Sequence, residues 1–311
     1  MLVVHGYRDV PAEARGAVLA IGNFDGVHRG HQALLRTAAD VARELGAPAG
    51  ALIFEPHPRE FFHPEEPHFR LTPLPQKLPL FEAAGLDLAV VLPFDPELAA
   101  LTAEDFIARV LVGALAARHV VIGYDFYFGR NRAGTPDTMR AAGLRDGFGV
   151  TVIPPVAEDG EVFSSSSTRL HLAQGDVRGA ARLLGRRWSV VGEVVGGARR
   201  GTGLGFPTAN IPLPRGTSLG HGIYAVRVHV GSERHDGAAY LGTRPTYDNG
   251  MPVLEVFLFD FDGDLYGRTI EVEFVDFIRA DRKFDSSEEL VVQMQMDIAR
   301  ARDILAACRE T

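Results

Sequence analysis

The 311-residue chain holds one cysteine, Cys308, one tryptophan, Trp188, and only two lysines, Lys77 and Lys283, against thirty arginines. A single thiol excludes a disulfide scaffold and a cysteine-rich zinc site, and it fits a reducing, cytoplasmic compartment. Two isolated lysines exclude a GxxxxGK[ST] phosphate loop. Any phosphoryl chemistry must then neutralise charge with arginine, backbone amides or a metal. No apolar run approaches the roughly 18 residues that a membrane-spanning helix needs. His5, Arg8 and Asp9 fall within the opening segment, which a secretory leader would not carry. Excess positive charge is missing as well, since the formal net charge is −8. Neither nucleic acid nor membrane is therefore an expected partner.

What is present suits a globular protein with two separate cores. In the first half, short apolar runs at residues 17–21, 49–54, 88–92, 119–122 and 150–153 read as buried strands. Leu34, Leu35, Ala38, Val41, Ala42 and Leu45 repeat at helical spacing after the first run, and Gly46 is a stop signal. Thr102 with Asp105 marks another helix start. This βα alternation predicts a doubly wound parallel sheet with ligands at the carboxyl ends of its strands. Beyond residues 186–189 the period becomes two. Tyr224, Val226, Val228 and Val230 share a face, as do Ile270, Val272 and Phe274, and Leu254, Val256 and Leu258. Glycine- and proline-rich turns separate these runs, which predicts a small antiparallel barrel. A closing helix carries Leu290, Met294, Ile298, Ala301, Leu305 and Cys308 on one side. The expected organisation is α/β plus β, with domains at 1–185 and 186–311.

Two segments carry chemistry. The first is Gly22-Asn23-Phe24-Asp25-Gly26-Val27-His28-Arg29-Gly30-His31, placed where a strand ends and a helix begins. Unpaired backbone N–H groups and the helix dipole favour a polyphosphate there. His28 and His31 can donate hydrogen bonds to the charge that develops as a phosphoanhydride breaks. The second segment is Gly201-Thr202-Gly203-Leu204-Gly205-Phe206-Pro207-Thr208-Ala209-Asn210, preceded by the cationic pair Arg199 and Arg200. Glu255 lies in an apolar strand on the face of Phe257 and Phe259, where an ionised carboxylate needs a partner or a task. On the other reading, a wet strand edge, it only points to water. Arg279, Lys283 and Phe284 lie between the last strand and the closing helix. Phe284 there, or Tyr224 in the barrel, offers an apolar face to a ring system, and core packing accounts for both aromatics equally well.

The string GNFDGVHRGH resembles the adenylyltransferase module of bifunctional prokaryotic riboflavin kinase/FAD synthetases, within the HIGH-type nucleotidyltransferase superfamily. The segments FEPHP (54–58), RLTPL (70–74) and GYDFYFGR (123–130) extend the likeness, and residues 206–210 resemble the PTAN segment of riboflavin kinases. The resemblance implies a Rossmann-like nucleotidyltransferase domain followed by a riboflavin-kinase β-barrel with its terminal helix. It implies two reactions with ATP as co-substrate and Mg2+ as cofactor: riboflavin to FMN, then FMN to FAD with release of pyrophosphate. For adenylyl transfer it assigns Gly22, Asn23, Phe24, Asp25, Gly26, His28 and His31 to ATP. Ser167, Thr168 and Arg169 fall to the phosphate tail, and Asp125 to FMN; Arg130 is a candidate phosphate ligand for FMN or, equally, a surface charge. For the kinase it assigns Arg200, Gly201, Gly203, Gly205 and Thr208 to ATP, Thr208 and Asn210 to the metal, and Glu255 to the ribityl hydroxyl as base. Tyr224, Arg279 and Phe284 become candidate flavin contacts. The segment after Arg169 is about two residues shorter than the family pattern, which would turn a helix by about 200° and predicts a rebuilt helix start. Two alternatives stay open from the sequence: a kinase whose N-terminal module binds nucleotide but is weak in catalysis, and a non-catalytic flavin-binding regulator. The oligomeric state, a homo-oligomer included, is open too.

Overall fold

The computed structural model describes residues 1–196, 207–214, 216–243 and 252–308. The chain divides into two compact units, Met1–Ser165 and Ser166–Thr311. This division falls well before the expected boundary, because the intervening helical segment packs with the second unit. Arg178 pairs with Asp276 at 2.7 Å, and Gly175 lies against the Phe277 ring.

In the first unit, β1 (Leu2–His5), β2 (Val18–Ile21), β3 (Ala49–Glu55), β4 (Leu88–Pro93), β5 (His119–Gly123) and β6 (Gly149–Ile153) form one sheet. Their order is β1-β4-β3-β2-β5-β6, and every pairing is parallel. A small hairpin follows, β7 (Ala157–Glu158) with β8 (Glu161–Val162). The helices are α1 (Arg29–Leu45), α2 (Pro58–Phe62), α3 (Leu74–Ala83), α4 (Pro96–Ala100), α5 (Ala103–Asp105) and α6 (Pro136–Asp146). Alternate strand residues enter cores on opposite faces of the sheet: Leu19 and Ile21 on one, Val18 and Ala20 on the other. Thr102 caps α5 as expected, accepting from the Asp105 N–H at 3.0 Å. The helix then continues with π geometry over Phe106–Ala114 instead of as an α-helix. The chain moves from β2 to β3 and β4 on one side, whereas β5 and β6 lie on the other. The strand order thus reverses between β2 and β5, and ligand crevices form at such switch points.

The second unit opens with α7 (Ser165–Ala173), which runs unbroken through Arg169, and α8 (Val177–Leu184). Then come β9 (Ser189–Glu193), β10 (Ala209–Pro212), β11 (Gly222–Val230), β12 (Glu233–Thr243), β13 (Pro252–Leu258), β14 (Thr269–Ala280) and α9 (Ser287–Ala307). The antiparallel order is β10-β13-β12-β11-β14-β9. A bridge in which the Val195 N–H donates to the Asn210 carbonyl at 2.9 Å brings the two edges together, so the sheet nearly closes into a barrel. Tyr224, Val226, Leu254, Val256, Val272 and Phe274 fill its interior with no exposed surface. Outside, Ala225, Phe259 and Val275 receive Ala301, Ile304 and Leu305 of α9. Buried Arg227 donates to the carbonyls of Leu305 and Cys308 and so caps the end of that helix.

Candidate functional site

In the first unit the histidine string forms the turn between β2 and α1, at the switch point. Phe24, Gly26 and Val27 have positive φ, at 49°, 86° and 43°. For phenylalanine and β-branched valine that region is strained. His28 caps α1, its Nδ1 accepting from the His31 N–H at 3.3 Å. Nε2 is then the protonated nitrogen of the neutral ring. His31 stacks on His28 with centroids 3.6 Å apart. Gly30 makes that stack fit, since a Cβ there would lie 3.0 Å from His28 Nδ1 and 3.2 Å from the Phe163 carbonyl oxygen. Burial, then the neighbouring His28 and Lys77, push the pKa of His31 well below its ordinary value, so this imidazole is neutral at pH 7. Nδ1 of His31 and Oδ1 of Asn23 are buried with no hydrogen-bond partner among the described residues. Such orphaned atoms call for a ligand or water, here beside the N-terminus of a long helix.

The turn is buttressed from the chain that follows β3. The Asp25 carboxylate accepts from the Leu71 and Thr72 N–H groups at 3.2 and 3.1 Å. The Lys77 ammonium donates to the Asn23 carbonyl at 2.8 Å. The Phe24 ring meets His31 and Phe81 edge-on, at 5.3 and 5.6 Å. Nearby, Arg70 pairs with both Glu55 and Glu60, which hold it firmly charged. His57 lies 4.5 Å from the His68 ring, and burial lowers its pKa to about 4.

Asp125 and Arg130 follow β5, across the switch point from the histidine turn, and both are exposed. Ser167, Thr168 and Arg169 occupy the start of α7, with Thr168 fully buried. Sequence reasoning missed an aromatic group at the carboxyl ends of β3 and β4. Phe54, Phe61, Phe62 and Phe94 have centroids 5.1 to 5.9 Å apart, and Phe62 is 59% exposed. Its available signal was the Phe61-Phe62 doublet close behind FEPHP.

In the second unit, Arg199, Arg200, Gly201, Gly203 and Gly205 lie outside the described residues. Asn210 is buried in β10, its Nδ2 donating to the Thr208 carbonyl at 3.4 Å. The register sets Asn210 directly opposite Glu255, and Glu255 opposite Tyr240 on its other flank. Directly opposed residues carry their side chains on one face about 5 Å apart. Glu255 shares the outer face with Phe257, as alternation requires. Beside Thr208 a cavity of about 270 Å³ is lined by Pro207, Phe261, Asp264 and Tyr266, among others.

Two candidate flavin contacts have other work. Tyr224 is fully buried in the barrel, its ring against Phe274 and Phe277 and its hydroxyl donating to the Gly220 carbonyl. Packing is thus its role, and burial raises its pKa. The Arg279 guanidinium is committed to Asp297 of α9, through contacts of 2.7 to 3.1 Å. Phe284 lies under the guanidinium groups of Arg282 and Arg279, at 4.5 and 5.7 Å. Among the described residues no group of three histidine, cysteine or acidic side chains could hold a metal ion. Thr208, Asn210 and Glu255 instead offer oxygen donors of the kind a hard, hydrated cation accepts.

Comparison with known proteins gives one pattern. Two family models match, FAD synthetase over residues 10–167 and riboflavin kinase over residues 184–305. The chain is 41% identical to the bifunctional riboflavin kinase/FMN adenylyltransferase of Pseudomonas fluorescens, with 98% of each covered. It is 40% identical to the protein of that name from Escherichia coli (strain K12), with 96% of each covered. For the one from Bacillus subtilis (strain 168) the identity is 35%, over 95% of this chain and 94% of that protein. A crystal structure titled as a macrolide-efflux protein from Streptococcus pneumoniae matches with a TM-score of 0.85 and 29% identity, over 97% of this chain and 99% of that one. Among the described residues, no helix of the present chain is long and apolar enough to cross a membrane.

Proposed function

The chain belongs to the family of bifunctional riboflavin kinases/FMN adenylyltransferases, and from that membership we propose how its residues divide the two reactions. It phosphorylates riboflavin to FMN and then transfers the adenylyl group of ATP to FMN, giving FAD and pyrophosphate. The first unit is a HIGH-type nucleotidyltransferase. An oxygen of the FMN phosphate attacks the α-phosphorus of ATP in line, and pyrophosphate leaves. The attacking phosphate is already ionised, so positioning and charge stabilisation suffice. The observation that carries this reading is the stacked, mostly buried imidazole pair with an orphaned nitrogen at the α1 N-terminus. His28 and His31 donate to the ATP phosphates, His31 as a neutral imidazole, while Gly22, Asn23, Phe24, Asp25 and Gly26 shape the turn around them. Ser167, Thr168 and Arg169 are assigned to the leaving phosphates on their place in the sequence. Asp125 and Arg130 serve the FMN end, and the Phe54, Phe61, Phe62 and Phe94 group offers its ring an apolar platform.

The second unit is the kinase. Glu255 orients the ribityl 5′-hydroxyl and accepts its proton as the oxygen attacks the γ-phosphorus of ATP, whose bond to the bridging oxygen breaks to release ADP. The Asn210–Glu255 register supports this, since it brings an amide and a carboxylate from distant segments to one face. Thr208 and Asn210 would hold Mg2+, which when bound neutralises phosphate charge and aligns the terminal phosphate. The cavity beside Thr208 takes the nucleotide base. Phe284 serves as the flavin contact, with Arg279 fixing its loop. A cytoplasmic setting is part of this reading, in keeping with the single cysteine. Chromatography of flavins after incubation with riboflavin, ATP and magnesium tests the whole scheme. FMN must form first and FAD second; FMN without FAD from folded protein would refute the adenylyltransferase assignment.

A further inference from the structure

Lys77 is one of two lysines in a chain with thirty arginines, and it is buried. Neither reaction, as read above, uses its ammonium. We propose that Lys77 is a positioning residue for adenylyl transfer, holding the strained Asn23–Val27 turn, and through it the imidazole pair, in the geometry that receives ATP. This inference rests on the adenylyltransferase reading of that turn.

The contacts form a continuous chain. Lys77 and Phe81 lie one turn apart on the same face of α3. The Lys77 ammonium fixes the Asn23 carbonyl at 2.8 Å, and the Phe81 ring abuts Phe24, the next residue. Phe24 meets His31 edge-on, and His31 stacks on His28. The Asp25 carboxylate, held by the Leu71 and Thr72 amides just before α3, fixes the same turn two residues further on. Phe24 and Val27 have backbone angles that such residues leave when released. Taking the ammonium from the Asn23 carbonyl therefore frees the stretch whose geometry sets the imidazoles.

The choice of lysine also has a physical reason. A buried ammonium is costly unless its surroundings compensate. Around Lys77, Asp25, Glu55 and Glu60 favour its charge, while burial and Arg70 oppose it. A compact ammonium gives one point donor in a packed site, whereas a planar guanidinium needs a wider slot and several acceptors. In a chain with thirty arginines and one other lysine, this position carries the slimmer group.

The test uses the full chain carrying Lys77→Met or Lys77→Arg, with both activities measured in each preparation. Lys77→Met should lower kcat for adenylyl transfer by about tenfold or more, with a smaller change in the KM for ATP and unchanged FMN formation. Lys77→Arg should not restore it. A second readout separates positioning from mere stability. After burial, the titratable groups that lower the pKa of His31 are His28 and Lys77. Removing the Lys77 charge should shift the acid limb of the adenylyl-transfer pH profile to higher pH. Should Lys77→Met not fold, Phe81→Leu removes the support under Phe24 while keeping the charge. It should lower the adenylyl-transfer kcat without moving the acid limb. Adenylyl transfer by Lys77→Met within about twofold of the parent, or an unmoved acid limb, overturns the proposal. For Phe81→Leu, an unchanged kcat does so. His31→Gln distinguishes the failures: if it too leaves adenylyl transfer intact, the reading of the turn itself is wrong.

Discussion

Three histidines of the first unit, His31, His57 and His119, are held below their ordinary pKa, chiefly by burial. Each binds a proton more readily in the unfolded chain than in the folded one. Their contribution to stability is therefore greatest above pH 6.5 and is lost as the pH drops towards about 4, the folded value of His57. Urea midpoints for the first unit should rise with pH across that window, and His57→Gln should flatten the rise. An equally steep profile in the variant would remove His57 from that role. A second residue-scale effect concerns Tyr240, which stands opposite Glu255 and donates to Asp281 at 3.1 Å, at the head of the loop carrying Phe284. Gly242 leaves the room for this, since a Cβ there would lie 2.0 Å from the Tyr240 hydroxyl. Tyr240→Phe should raise the KM for riboflavin a few-fold, roughly the loss of one hydrogen bond, with kcat little changed. Steady-state kinase assays read this directly.

Among elements, β9 closes the barrel against β10 because Gly192 has no side chain. A Cβ at that position would lie 2.4 Å from Ile211 Cγ2. Gly192→Val should destabilise the second unit by about 1–3 kcal/mol through overpacking. Denaturant melts of kinase activity should show the loss, while adenylyl transfer keeps its own midpoint. The same scale explains what the sequence made legible. Strands β2 to β5 are covered on both faces and so read as continuous apolar runs. Alternation exposed β11, β13 and β14, because one face is interior and the other is not. Strand β1 escaped notice as a four-residue edge strand with little buried surface. Strand β12 opens on Glu233, Arg234, His235 and Asp236 and continues with glycine and alanine, so no alternation marks it. His28 and His31 were legible because one turn holds both. The Asn210–Glu255 pairing depends on sheet order, and Lys77 has no local pattern at all. Tyr224 was ambiguous, since an inward position in a strand suits a core aromatic and a ligand contact alike.

At the scale of the molecule, two chemistries share one polypeptide and are joined by FMN. His31→Gln should abolish FAD formation from FMN while leaving FMN formation from riboflavin intact. Glu255→Gln should do the reverse. A mixture of the two variants should convert riboflavin to FAD, because FMN released by one chain is substrate for the other. Chromatography of the mixture should show FMN accumulating before FAD. No FAD from the mixture, with each variant active in its remaining step, would mean that FMN does not pass through solution.

The chain's two lysines differ sharply in access: Lys77 is buried, whereas Lys283 is exposed beside Phe284. Acylating reagents aimed at lysine side chains thus have a single open target, fixed by the native fold without mutagenesis. An environment-sensitive dye attached at Lys283 would place an optical reporter on the loop next to the proposed flavin contact. Riboflavin arrival could then be followed in stopped flow, independently of product formation.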